Sequence, residues 1–277
     1  MPLQALAAGA VVATMMLATG LRLDPRRLEG PSRRAHLFAA AANLVLLPVL
    51  TWAAAKGLAL SPGHTVGLLL CAVTPGGPVG VVFATLARAH LGSATGLVVM
   101  WSALGVLTAP SLLGLLAPGT LDTTALIWPM TQSLLLWQLL PLAVGMAAHA
   151  ARPAAALAGS VWVSRLSNLF LAVLGSALLW LKSDVLLAVP LGAHAFSIGS
   201  SALLIWAGAR LEGGDRGQSL GLTTAARNVG SALLISSAWF TDPAVDATVM
   251  AVGLYTVVVP VSAALWWSRP GPAPRRA

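Results

Sequence analysis

Apolar residues run through this chain in stretches of twenty or more, separated by short polar breaks. Nine such segments stand out, at 3–21, 35–57, 64–89, 92–117, 124–149, 160–181, 184–209, 217–240 and 244–267. About 20 apolar residues suffice to cross roughly 30 Å of hydrocarbon at 1.5 Å per residue. The pattern therefore predicts an all-α polytopic membrane protein, with residues 1–277 forming one transmembrane domain. No basic residues precede the first segment, and no cleavage site precedes Leu21-Arg22-Leu23-Asp24. A retained helix is expected there, not a signal peptide.

Two segments break their own pattern. The third contains Val73-Thr74-Pro75-Gly76-Gly77-Pro78-Val79-Gly80, a run that cannot continue an α-helix. Backbone opened at membrane depth must be buried in protein or line a wet cavity. Gly76 and Gly77 are therefore expected to turn backbone groups toward a substrate. The eighth segment is the least apolar, with Ser219, Thr223, Thr224, Arg227, Asn228, Ser231, Ser236 and Ser237. Arg227 lies about ten residues inside it, where an Arg costs roughly 2.5–3.5 kcal/mol on insertion scales. The two irregular segments also occupy matching places. Gly76 precedes Pro110, and Ala226 precedes Pro260, by 34 residues each. Pro48 and Pro190 fall in the segments before the breaks and are expected to kink them. Interrupted hydrophobic segments at matching places in two halves point to a transporter binding site. The third and eighth segments run in opposite directions, so an inverted repeat is expected.

Charge changes the picture next. Only 9% of residues are charged, against roughly 25% in soluble domains, which excludes a water-soluble protein of this size. A net charge of +8 is compatible with nucleic-acid binding, but its placement points elsewhere. Alternating the loops puts thirteen arginines on one side (Arg22, Arg26, Arg27, Arg33, Arg34, Arg88, Arg152, Arg165, Arg210, Arg216, Arg269, Arg275 and Arg276) and only Lys56 and Lys182 on the other. Such a bias marks the cytoplasmic face of a cell-membrane protein, with the N-terminus outside and the C-terminus inside. The carboxylates Asp24, Glu29, Asp122, Asp184, Glu212, Asp215, Asp242 and Asp246 fall in loops or at segment ends. No acid is expected at membrane depth, which argues against a carboxylate proton relay.

With these features in place, the chain resembles the bile acid:sodium symporter family, in its nine-helix form lacking the first helix. The resemblance rests on Met16-Leu17-Ala18-Thr19-Gly20-Leu21-Arg22-Leu23, on Thr74-Pro75-Gly76-Gly77, and on Arg227-Asn228, which stands where a Gln-Asn pair ends the family's second-break motif. It implies a panel of helices 3–21, 124–149 and 160–181. It implies a core of 35–57, 64–89, 92–117, 184–209, 217–240 and 244–267, in which two broken helices cross. The departures fall on the family's sodium sites. Gly80 and Val81 replace Ser-Asn, Thr223 replaces the sodium-binding Glu, and Arg227 replaces the Gln. The hydroxyl ligands of the following helix fall at Val98 and Ser102. Ser102 and Thr223 remain as residual sodium candidates, and no other metal or cofactor is implied.

The remaining candidates add little. His194 is expected mid-segment, near Ser197, Ser200 and Ser201, either carrying a proton or packing on a carbonyl. Cys71 reads as a small buried hydrophobe, and its being the single Cys excludes an internal disulfide. The ten tryptophans read mainly as an interfacial belt. Hydrolase motifs and nucleotide-binding loops are absent from the sequence, so no enzyme is expected. The resulting expectation is a secondary transporter moving a small organic anion by alternating access, without the family's usual sodium sites. Arg227, Asn228, Thr223, Thr224, Thr74, Gly76 and Gly77 would bind the substrate. The alternatives are a sodium-coupled symporter with degenerate sites, or a channel or receptor-like protein on the same scaffold. The bilayer and the solute are the expected partners.

Overall fold

The computed structural model describes residues 3–24, 32–117, 123–181, 184 and 187–269, and they form eleven principal helices. These are α1 (Leu3–Arg22), α2 (Arg33–Gly57), α3 (Pro62–Val73), α4 (Val79–Leu86), α5 (Leu91–Leu116) and α6 (123–151). They continue as α7 (Pro153–Leu181), α8 (Leu191–Glu212), α9 (Gly214–Ala225), α10 (Val229–Trp239) and α11 (Pro243–Trp267). The nine segments map onto them, the third as α3 plus α4 and the eighth as α9 plus α10. This is an all-α polytopic membrane protein with two broken helices. Its outer surface is apolar, with Trp180 85% and Leu115 72% exposed, a surface that suits lipid and not water.

The seventh segment begins later than expected. α8 starts at Leu191, with Pro190 as its extended N-cap (ψ 139°), so Pro190 opens a helix and kinks none. Proline suits a helix start because its missing N–H would find no intrahelical partner there. His194 consequently lies in the first turn of α8, edge-on to Tyr255 with ring centroids 5.6 Å apart, and is not mid-span. Trp101 also departs from the belt reading: it is 3% exposed and packs with Ala35, Ala39, Leu97 and Leu220.

Two helices carry a widened π turn, α2 at Ala42–Leu46 and α6 at Leu135–Leu139. In each, a proline follows within two residues of the turn, Pro48 or Pro141. Proline supplies no N–H to the preceding turn and crowds it, and the wider turn absorbs the mismatch.

α1 packs along α6, α7 and α10. Arg22 ties its end to α7 through Ser160 (3.2 Å) and Ser164 (2.8 Å). α9 lies flat on α8 because glycines remove the obstacles: a Cβ at Gly208 would come within 2.5 Å of Gly221, and one at Gly217 within 2.6 Å of the Ala209 carbonyl. Helix ends meet as the alternating topology requires. His90, between α4 and α5, bonds to Asp215 and Ser219 at the start of α9, while α1 begins beside α11 through Gln4 Nε2 and Asp246 (2.8 Å). Asp246 sits in the first turn of α11 and is 5% exposed, so one carboxylate is buried although it stands at a segment end.

Candidate functional site

The two breaks meet. Residues 74–78 separate α3 from α4, and Ala226-Arg227-Asn228 separate α9 from α10. They pair as a short antiparallel bridge between Pro75 and Arg227. Asn228 N–H donates to the Thr74 carbonyl (2.9 Å), and Gly77 N–H donates to the Ala226 carbonyl (3.4 Å). Gly76 has φ +79°, and a Cβ there would lie 2.5 Å from the Ser102 backbone nitrogen. A Cβ on Gly77 would strike the Arg227 carbonyl. These glycines let two backbones and α5 approach one another, so a side chain at either would part the strands before it could obstruct a pathway.

The crossing brings four half-helix ends together. α3 and α9 end there, presenting carbonyls, and α4 and α10 begin there, presenting N–H groups. Arg227 serves the first pair. Its guanidinium donates to the carbonyls of Ala72 (3.2 Å) and Thr224, each one residue before the end of its helix, and to Asn43 Oδ1 from the π turn of α2. Arg227 is 4% exposed, and among the described residues no carboxylate pairs with it and its Nε–H has no partner. The guanidinium thus caps two helix C-termini, whose partial negative charges favour a cation.

Arg227 and Asn228, read together in the sequence, are separated here. Neighbouring residues of an extended segment point to opposite faces. Asn228 Oδ1 caps α10 by accepting from Ser231 N–H (3.2 Å), while its Nδ2 donates to Gln138 Oε1 (3.1 Å) from α6. Ser231 Oγ donates to the same Gln138 oxygen, and Gln138 Nε2 donates to the Ser102 carbonyl (2.7 Å). Two other candidates hold local bonds, Thr74 Oγ1 donating to Leu70 O (2.7 Å) and Thr223 Oγ1 to Ser219 O (2.6 Å), while Ser102 Oγ reaches from α5 to the first break and donates to Gly76 O (2.9 Å). Thr224 Oγ1 is buried without a partner among the described residues. No hydrogen bond joins the two residual sodium candidates, Ser102 and Thr223.

Sequence reasoning missed Asn43 and Gln138, the side chains that reach the crossing from α2 and α6. Both are buried within π turns, at 1% and 2% exposure. The available signal was an amide in an apolar segment shortly before a proline. A cavity of about 30 Å³ adjoins Arg227, walled also by Thr51, Ser197, Ser201 and Thr256. It admits a water or two.

Membrane-length helices with two interrupted spans crossing at mid-chain breaks define a multi-pass protein of the kind that carries solutes across bilayers. The model of the sodium bile acid symporter family matches residues 10–193, and the chain belongs to that family. It is thus a membrane transporter of the bile acid and sodium symporter type. The match takes in the first break and ends before the second, where Arg227 stands. No curated protein matches the chain in sequence.

Proposed function

We propose that this chain is a secondary transporter that moves a small organic anion by alternating access and needs no sodium ion at its crossing. The observation that carries the reading is the position of the Arg227 guanidinium. It occupies the oxygen cluster made by the converging ends of α3 and α9 with Asn43. Helix C-terminal ends and unwound carbonyls are where such folds coordinate their coupling cation. A second unit charge about 4 Å away would be opposed by about 4 kcal/mol at an effective dielectric of 20. That corresponds to roughly a thousandfold loss of affinity. Thr223 brings no charge to offset it.

The same crossing favours an anion on its other side. α4 and α10 both begin there, and their N-terminal dipoles add to the arginine's positive potential. Asn228, held in place by Gln138 and Ser231, supplies a side-chain donor through its second amide hydrogen. Thr74, Thr223, Thr224, Gly76 and Gly77 frame the site through backbone and hydroxyl groups. Helices α1, α6 and α7 act as the panel against which the remaining helices move, with the N-terminus outside the cell and the C-terminus in the cytoplasm.

A thermal-shift screen of carboxylate metabolites on the purified protein identifies the substrate, since a ligand raises apparent stability by mass action. Proteoliposomes then take it up equally in sodium and in choline, with trans-stimulation that a channel lacks. Uptake that scales with the sodium gradient in the wild type sinks the proposal. Arg227→Gln combined with Thr223→Glu is expected to create sodium dependence.

A further inference from the structure

A second site lies away from the crossing, where α8, α9 and α11 come together. They enclose a groove of about 450 Å³. Its walls are ordered along the helix axes. Ala202 and Ile205 on α8 and Val259 on α11 form one end, followed by Trp206 and Ala263, with Arg210, Trp267 and Gln218 at the other. Residues 202 and 210 are about 12 Å apart along α8 at 1.5 Å per residue. The groove is therefore apolar toward the middle of the spans and polar where they end. Arg210 is exposed, with its guanidinium carbon 5.5 Å from the centre of the Trp206 ring. Glu212 and Asp215 lie near this end of the helices, but neither lines the groove.

We propose that this groove holds one phospholipid, with its phosphate on Arg210 and Gln218 and an acyl chain against Ile205, Ala263 and the two tryptophans. The occupant follows from position and charge. A groove between spans is filled by lipid, and lipid tails gain little from leaving other tails for an apolar wall. Selection must come from the polar mouth, where a guanidinium matches a phosphate diester in shape and charge. Arg210 stacked on Trp206 is held ready for that contact. Gln218 belongs to α9, so the bound lipid also braces the first half of the second broken helix. The site is independent of what the chain transports.

Native mass spectrometry of detergent-purified protein with added phosphatidylglycerol tests this. Wild type is expected to retain one lipid tightly. Arg210→Gln is expected to bind about tenfold more weakly, the scale of one charge-assisted hydrogen bond. Ala263→Trp, which fills the groove, is expected to lose the lipid while Arg210 remains. Arg165→Gln is expected to match wild type, because Arg165 covers Trp162 on α7, which contributes nothing to the groove. Diacylglycerol, with the same tails and no phosphate, is expected not to be retained. Equal lipid retention by wild type, Arg210→Gln and Ala263→Trp, or equal retention of diacylglycerol, overturns the proposal. Because Arg210 is exposed, its substitution leaves folding intact, and a matching elution profile confirms it.

Discussion

The two breaks do the same job by different means. The first is made of backbone: Pro75 and Pro78 remove N–H donors, Gly76 takes φ +79°, and Gly77 yields space to the facing chain. The second contains neither glycine nor proline. Ala226 (ψ 115°) and Asn228 (ψ 73°) leave the helix within conformations open to any residue. Side chains hold it open: Asn228 caps the helix that begins, and Arg227 caps the two that end. One break is thus written in conformational preference and the other in hydrogen-bond partners. The first should be intolerant of any added atom, and the second should respond to the loss of particular donors.

The largest effect is expected from the first break. Gly76→Ala forces a left-handed conformation at about 1–2 kcal/mol and overpacks Ser102 at about 1–3 kcal/mol more. Gly77→Ala collides with the Arg227 carbonyl, with no flexible side chain to give way. Both variants should lose about 3 kcal/mol or more, seen as low yield and aggregation in size-exclusion chromatography. Ala226→Gly in the second break should cost under about 1 kcal/mol. Comparable losses at Gly76 and Ala226 would erase the distinction between the breaks.

Next comes Arg227→Met. It strands the Ala72 and Thr224 carbonyls and Asn43 Oδ1, and each unsatisfied buried acceptor costs about 1–3 kcal/mol. A net loss of about 2–4 kcal/mol is expected, because removing a buried charge returns part of its desolvation cost. Arg227→Lys keeps the charge without the fork and should fall between, read as an ordered series of melting temperatures. Asn228→Ala should cost about 1–2 kcal/mol, the usual scale of a lost N-cap, and leave the Arg227 contacts in place.

This difference also explains what could be read in advance. Nine segments, their alternation and the first break are legible in composition, because apolar length and Pro-Gly chemistry act locally. The second break shows only as misplaced polarity, since its cause is tertiary: the partners of Arg227 lie 155 and 184 residues away at Ala72 and Asn43. The opposed facing of Arg227 and Asn228 needs the extended backbone that the bridge imposes, and nothing local announces it. Pro190 was legible as a proline but not as a helix start, because residues 184–189 are as apolar as the helix that follows. Asn43 and Gln138 carried only the weak signal of an amide near a proline, because an amide in an apolar segment does not reveal which face of the helix it will occupy.

The smallest expected effect separates a support from a moving contact. Gln138 lies on α6, which also packs with α1 and α7, and holds Asn228, Ser231 and the Ser102 carbonyl in one network. Hydrogen bonds between membrane helices average about 0.6 kcal/mol, because the separated helices find other partners. Gln138→Met should therefore lower stability by only about 1 kcal/mol, less than Asn228→Ala, whose backbone cap has no substitute. Transport should respond more. If the helices bearing the two breaks move against α6, these bonds must part in each cycle, and their loss alters the balance between conformations. A two-state equilibrium shifts by the differential energy alone, so about 1 kcal/mol changes the conformational ratio roughly fivefold. Transport rates of Gln138→Met and wild type, set beside their melting temperatures, provide the measurement. A rate unchanged with stability lowered would make Gln138 a fixed brace for the second break, and α6 would then travel with the crossing.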